Sequence, residues 1–387
     1  MTPSARLSAA IAILDRVLAG TPVEQALTNW GRGARYAGST DRAEVRDIVF
    51  QCLRCRSSFA ALGGGLTGRG LALGYARSDV GDPRPDYFAG GPHDPAPPDP
   101  VNEAGRAPEG AEVHNIPDWL EGPLRQSLGD DFAAVMKMMQ DRAPVYLRVN
   151  AAKSSRAGAI DLLAGEGIIA VACETLPLAL EVQSGERKIK GSKAFLSGVV
   201  ELQDLSSQAV VAALPLQDGM RVLDHCAGGG GKTLAMAGQA RLQLFAHDVA
   251  PRRMADLPAR AGRAGVKVTL TERPESRAPY DLVLVDAPCS GSGSWRRDPE
   301  GKWKLDAARL AELTRIQAEI LDRASRMVAP GGWLAYATCS FLTVENLDQV
   351  QAFLGRSEGW SLEKHLSLSP LSHSDGFFMA LLRRLPV

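Results

Sequence analysis

The sequence predicts an α/β protein with a doubly wound parallel sheet, preceded by a small all-helical domain. Three observations predict it. From about residue 116 onward, short apolar runs alternate with amphipathic stretches, the pattern of strands and crossover helices. A glycine-rich turn, "VLDHCAGGGGKT" at 222–233, follows one of those runs and leads into a helix. In residues 1–77, apolar residues instead recur at helical spacing.

In the first region Leu7, Ile11, Leu14 and Leu18 form one stripe, widened by Ile13 and Val17. Gly20 ends that helix, and Thr21-Pro22-Val23-Glu24 reads as the start of a second. A third is expected over about 41–62, with Val45, Ile48, Val49, Cys52 and Phe59 inward. Residues 1–77 hold ten arginines, no lysine and five acids, a guanidinium excess suited to phosphate. Residues 78–115 are rich in proline, glycine and acids, which predicts a linker or exposed loop. A lead-in subdomain is expected over 116–205, opening with helices and a strand-like "APVYLRVN" at 143–150. The sheet is expected over 206–387, with strands at 220–224, 242–248, 266–271, 281–286, 333–338 and 377–382. Helices fit between most of them, notably at 251–263 and 305–328.

Bulk composition limits the function classes. The 387 residues are 45% hydrophobic and 23% charged, an ordinary balance for a soluble protein. No apolar run is long enough to span a membrane, and Asp15 and Arg16 interrupt the first apolar stretch as no signal-peptide core would. The six cysteines do not form a secreted disulfide framework, so a reducing cytoplasm is expected. The net charge is zero, so nucleic-acid binding would need a local patch. Cys52 and Cys55 have no second pair, so packing is expected of them and no metal site.

The Gly-Lys-Thr that closes the glycine-rich turn suggests a phosphate loop. That loop needs a glycine five residues before Gly231, and position 226 is Cys. Asp248, at the end of the next strand, can instead bind both ribose hydroxyls of an adenosine. A ribose-binding acid, the glycines Gly228, Gly229, Gly230 and Gly231, and the missing phosphate-loop glycine favour S-adenosylmethionine over ATP. Two further strands end in "DAPCSG" (286–291) and "YATCSF" (336–341). A cysteine in a polar turn at the ligand edge of a sheet is a candidate nucleophile. Cytosine C5 is a poor nucleophile. A thiolate added at C6 makes C5 electron-rich enough to take a methyl group, and a nearby acid such as Asp286 can balance charge at N3. The C5 proton then leaves and the thiolate is expelled. These residues alone do not rank Cys289 against Cys339.

With these residues in hand, the chain resembles the Sun/RsmB family of RNA (cytosine-5) methyltransferases with a NusB-like N-terminal domain. "VLDHCAGGGGKT", "DAPCSGSGSWRRDPEGKW", "YATCSF", "ENLDQVQAFL" and "DGFFMALLRR" carry the resemblance in order and spacing. It implies a Rossmann-like class I methyltransferase fold. It implies that Cys339 attacks C6, Cys289 assists product release, Asp286 contacts the cytosine and Asp248 holds the donor's ribose. The loop Cys226, Ala227, Gly228, Gly229, Gly230, Gly231 and Lys232 would wrap the donor, with Lys232 reaching the reacting groups and Asp286 also near the donor. The chain departs from the family by having Gly228-Gly229 where Ala-Pro is usual, and Thr271 or Glu272 where an adenine-side acid is usual.

For RNA, "SWRRDPEGKWK" (294–304) offers Arg296, Arg297 and Trp303, and "GERKIKGSKAF" (185–195) is a second basic loop. Arg148, in the strand-like 143–150 run, is a further candidate. The expected enzyme is a monomer that modifies a flipped-out cytosine, in small-subunit rRNA by the resemblance. The alternatives are a tRNA methyltransferase, a non-catalytic RNA-binding or assembly factor and, more remotely, a P-loop ATPase.

Overall fold

The structure, a computed structural model, describes residues 1–372 and 374–386. The chain forms two compact units, one of Met1–Arg142 with Trp295–Leu305, the other of Ala143–Ser294 with Asp306–Val387.

The first unit is helical. Helices Pro3–Leu18, Val23–Gly33, Ser39–Arg54, Arg56–Gly63 and Gly68–Arg77 enclose a core of Leu7, Ile13, Leu14, Val45, Val49, Phe59 and Leu71. The third predicted helix is two, because the backbone leaves helical geometry at Cys55 (φ −104°, ψ 29°). Both Cys52 and Cys55 are fully buried among core residues. Segment 78–115 is anchored more firmly than its composition suggests. Tyr87 is buried in the helical core and donates its hydroxyl to Asp82 at 2.6 Å. Gly105 (φ +70°) passes so close to the Leu62 carbonyl that a Cβ would stand 2.0 Å from it. Glu103 adds an ion pair with Arg69, and the Arg106 N–H donates to the Ala61 carbonyl at 2.8 Å, contacts that the proline-rich text hides.

The second unit has two sheets. Strands β1 (Val145–Val149), β2 (Ile169–Ala172), β3 (Ala179–Ser184) and β4 (Val200–Leu202) form an antiparallel sheet in the order β2-β3-β1-β4. The larger sheet uses β5 (Arg221–Asp224), β6 (Gln243–Ala246), β7 (Val268–Leu270), β8 (Tyr280–Asp286), β9 (Val328–Thr338), β10 (Trp360–Leu368) and β11 (Phe377–Arg384). Its order is β10-β11-β9-β8-β5-β6-β7. From β9 to β7 the pairing is parallel, and β11 and β10 are added antiparallel. The expected parallel sheet therefore gains an antiparallel edge. Its central strands are apolar on both faces, with Leu223, Val283, Val285 and Tyr336 on one side and Val222, Leu282, Leu284 and Ala335 on the other. Burying both faces fixes the strand ends, and the reversal of strand order between β5 and β8 opens a crevice at their carboxyl ends.

Candidate functional site

The glycine-rich turn leaves β5 at that crevice and enters helix Gly231–Ala237. Gly228 (φ +49°) and Gly230 (φ +79°) are left-handed, which favours glycine. Space also demands it at 230, where a Cβ would lie 2.1 Å from Leu257 Cδ1. Asp248, 2% exposed beyond β6, closes the loop. Its Oδ2 accepts from the Gly228 N–H at 3.0 Å, its Oδ1 from the Ala250 N–H at 2.9 Å, and Arg253 lies 3.2 Å away.

Three observations bear on whether this cradle suits an adenosine-type methyl donor. Asp248 faces the loop with further lone pairs beyond these contacts. Val249, beside it, is 87% exposed and offers an apolar face to a flat base. Beneath the loop, Asp224 accepts from the Thr233 hydroxyl at 2.6 Å through Oδ2, while its buried Oδ1 has no protein partner. The residues fit such a group. Of the two substitutes for the adenine-side acid, Thr271 is buried, its carbonyl 2.9 Å from His247 Nδ1, and Glu272 is exposed.

The cysteines meet because β8 and β9 are neighbours, with Asp286 paired to Ala337. Each cysteine lies just past its strand, and the two sulfur atoms are 3.4 Å apart. The Ser294 hydroxyl stands 3.9 Å from Cys339 Sγ. Lys232 Nζ donates to Asp286 Oδ2 at 2.7 Å and lies 4.7 Å from the centre of the Phe377 ring. Burial opposes the Lys232 charge, but Asp286 outweighs it and holds the ammonium above its ordinary range.

The environment separates two thiols that the sequence left equal. The hydrogen bond with Cys289 holds the Cys339 thiol below its ordinary value; burial and Asp286 oppose this, while Lys232 and Ser294 assist it. Cys289 is pushed up by that same bond, by burial, and by the negative charges of Cys339 and Glu345. Of the two, Cys339 is the thiol whose anion the surroundings favour, through Lys232 and Ser294.

Sequence reasoning missed the brace behind the pair. Glu345 is fully buried. It accepts from the Ser290 N–H at 2.8 Å, the Gln317 side chain at 3.0 Å, and the hydroxyls of Ser290 and Ser340. These serines and Glu345 stand inside the quoted motifs, but nothing in spacing says that they converge.

The expected RNA residues need correction. Arg148 is buried in β1, donating to Gln203 at 2.7 Å, and burial lowers its pKa to about 10. Arg296 is also buried, with its carbonyl accepting from Arg54 at 2.8 Å. Trp303 gives its indole N–H to the Leu53 carbonyl at 2.7 Å, and the Arg56 guanidinium lies 4.6 Å from its ring centre. Segment 295–305 is thus fastened within the helical unit, and its amphipathic side chains do structural work there. Arg297 is exposed, as are Lys188, Lys190 and Lys193 of the second basic loop. Among the described residues no group of three or more histidine, cysteine or acidic side chains could hold a metal, and no helix is long and apolar enough to cross a membrane.

A glycine-rich turn and a ribose-type acid at the reversal point of this sheet define a Rossmann-like methyltransferase. Residues 211–383 match the 16S rRNA methyltransferase RsmB/F family, and residues 116–187 match the ferredoxin-like domain of RsmF/B-like methyltransferases. The chain belongs to the RsmB/F family. It is 34% identical over 283 residues to ribosomal RNA small subunit methyltransferase B of Salmonella arizonae, covering 69% of this chain and 66% of that protein. The chain therefore spans about two thirds of the length of the curated relatives it matches. In fold it is similar to PH0851 (TM-score 0.77, 24% identity, 99% of both chains). It is also similar to NSun6 from Pyrococcus horikoshii with SFG (TM-score 0.62, 20% identity, 70% of this chain and 99% of that one).

Proposed function

We propose that this protein methylates C5 of a cytosine in small-subunit rRNA, using S-adenosylmethionine. The observation that carries the reading is the pair of thiols 3.4 Å apart beside a Lys232–Asp286 ion pair, at the mouth of a nucleoside-type cradle. When bound, the donor supplies an electrophilic methyl group. Loop 226–232 and Asp248 would hold it. Cys339, the more acidic thiol, adds to cytosine C6, and Lys232 stabilises the thiolate. Asp286, held by Lys232, faces the cytosine ring. Water takes the proton from C5, and Cys289, protonated beside Cys339, gives its proton to the departing sulfur. Arg297, the lysines of 185–195 and the arginine-rich helical unit offer the phosphate contacts, so residues 1–77 and 116–205 are read as the RNA-binding parts. The enzyme is read as a cytoplasmic monomer, in keeping with six free cysteines.

Bisulfite sequencing of rRNA and tRNA, with and without the gene, tests the substrate. A protected cytosine lost from small-subunit rRNA is expected; a loss confined to tRNA would overturn the rRNA assignment. With purified protein, Cys339→Ala should abolish transfer and Cys289→Ala should accumulate a covalent RNA adduct. An adduct formed by the Cys339 variant would reverse the assigned roles.

A further inference from the structure

We propose that Glu345 is a positioning residue for this reaction: its buried carboxylate ties the turn carrying Cys289 to the turn carrying Cys339 and keeps the two thiols chemically unequal. The proposal rests on the functional reading above only for its consequence in catalysis, because the geometry stands by itself.

Glu345 lies in the short helical turn Thr343–Glu345, with no solvent exposure. Its donors come from three directions. Ser290, the residue after Cys289, gives both its backbone N–H and its hydroxyl. Ser340, the residue after Cys339, gives its hydroxyl. Gln317, on helix Ala307–Ser325, gives its amide to Oε1 at 3.0 Å and also reaches the Pro288 carbonyl at 2.9 Å. The turn itself is pinned, since the Tyr336 hydroxyl donates to the Glu345 carbonyl at 2.6 Å and Asn346 donates to the Ser340 carbonyl at 2.8 Å. One carboxylate therefore grips the neighbour of each cysteine, and every donor to it is uncharged. An anion compensated only by neutral donors keeps its field on nearby titrating groups. That field falls on Cys289, which also feels Cys339 and the buried Tyr336 hydroxyl. Cys339 answers to Lys232 and Asp286 instead. An uncharged residue at 345 could brace the turns, but only an anion also favours the protonated thiol at 289.

The decisive experiment follows alkylation of both cysteines by iodoacetamide from pH 6 to 10, by peptide mass spectrometry, in the full chain. It compares wild type with Glu345→Gln, with folding checked by thermal melting. The Cys289 profile should move down by about one pH unit, with little movement at Cys339. A folded Glu345→Gln protein with both profiles unmoved would overturn the proposal. If that variant does not fold, Ser340→Ala decides, because it keeps Glu345 and removes the hydroxyl that joins it to the Cys339 turn, along with that hydroxyl's contacts to Ser290, Ser292 and the Leu342 N–H. Phenylarsine oxide bridges two close thiols, so its affinity reads their spacing. At least a tenfold loss of bridging is expected, and bridging equal to wild type would overturn the proposal. Neither assay uses RNA or a methyl donor, so failure here leaves the functional reading standing. Absence of methyl transfer by wild type would sink that reading and leave this one intact.

Discussion

Replacing Asp224 by Asn should change how stability depends on pH, and the size of the effect follows from the site. Asp224 is 1% exposed at the end of β5 and makes one side-chain bond, from Thr233, while its other oxygen has no protein partner. Burial is the main cause that raises its pKa from 3.8 to about 7. At 1.36 kcal/mol per pH unit, that rise is worth roughly 4 kcal/mol. The native acid holds its proton where the unfolded one has lost it, so stability falls as the pH climbs from about 4 to 7. Above pH 7 the whole cost is present, and below pH 4 none of it is. Asparagine does not titrate, but it buries an amide N–H where Oδ1 had no partner, at a cost of about 1–3 kcal/mol. Asp224→Asn should therefore be less stable than wild type at pH 4.5 and more stable at pH 8. The difference between the two proteins should swing by about 3 kcal/mol across that range, because roughly 1 kcal/mol of the cost is already present at pH 4.5. Urea unfolding followed by tryptophan fluorescence, for both proteins at four pH values, measures the swing. A constant difference from pH 4.5 to 8 would refute the argument, because it would mean that Asp224 is ionised in the native state throughout.

Two other substitutions probe packing. Gly293→Ala would place a Cβ 2.1 Å from the Gly376 carbonyl oxygen, at the point where the Gly293 N–H also donates to the Cys339 carbonyl at 3.0 Å. A backbone clash of that kind should cost about 3 kcal/mol and lower the melting temperature by roughly 6–12 °C. Melting equal to that of Gly262→Ala, whose Cβ meets nothing within 4 Å, would contradict it. Lys302, buried and donating to the Arg54 carbonyl at 3.0 Å, has its pKa lowered to about 7, chiefly by burial. The cost of its charge is full below pH 7 and fades as the pH rises towards 10.5. Lys302→Met should therefore stabilise the protein by a few kcal/mol at pH 6 and by much less at pH 9.5, as read from urea midpoints.

The sequence revealed the core of the large sheet because those strands are apolar on both faces and end in glycine-rich or polar turns. Val222, Leu223, Leu282, Val283 and Leu284 leave little else for their segments to be. Strand β10 was not legible, since "WSLEKHLSL" lies at the sheet edge with no fully buried residue and reads as polar text. The break at Cys55 was equally hidden, because both halves continue the same helical stripe. Among site residues, Cys289, Cys339, Asp286, Lys232 and Asp248 announced themselves by their places after strands. Glu345 did not, because its partners stand 5, 28 and 55 residues away and meet only in the fold. Arg148 and Arg296 misled for a related reason: an arginine's sequence neighbours do not tell whether its guanidinium faces water.

The adjacency of β8 and β9 also separates chemistry from ancestry of shape. The two sulfur atoms are brought together by strands one hydrogen-bonded spacing apart, about 4.8 Å, and by turns of a few residues. The long excursion between the strands carries the segment that folds into the helical unit. Only Trp295–Leu305 of that excursion belongs to the helical unit; helix Ala307–Ser325 returns to the sheet, where Gln317 reaches the Pro288 carbonyl and Glu345. A change confined to residues 295–305 therefore falls in one unit, while both cysteine turns and the Glu345 brace lie in the other.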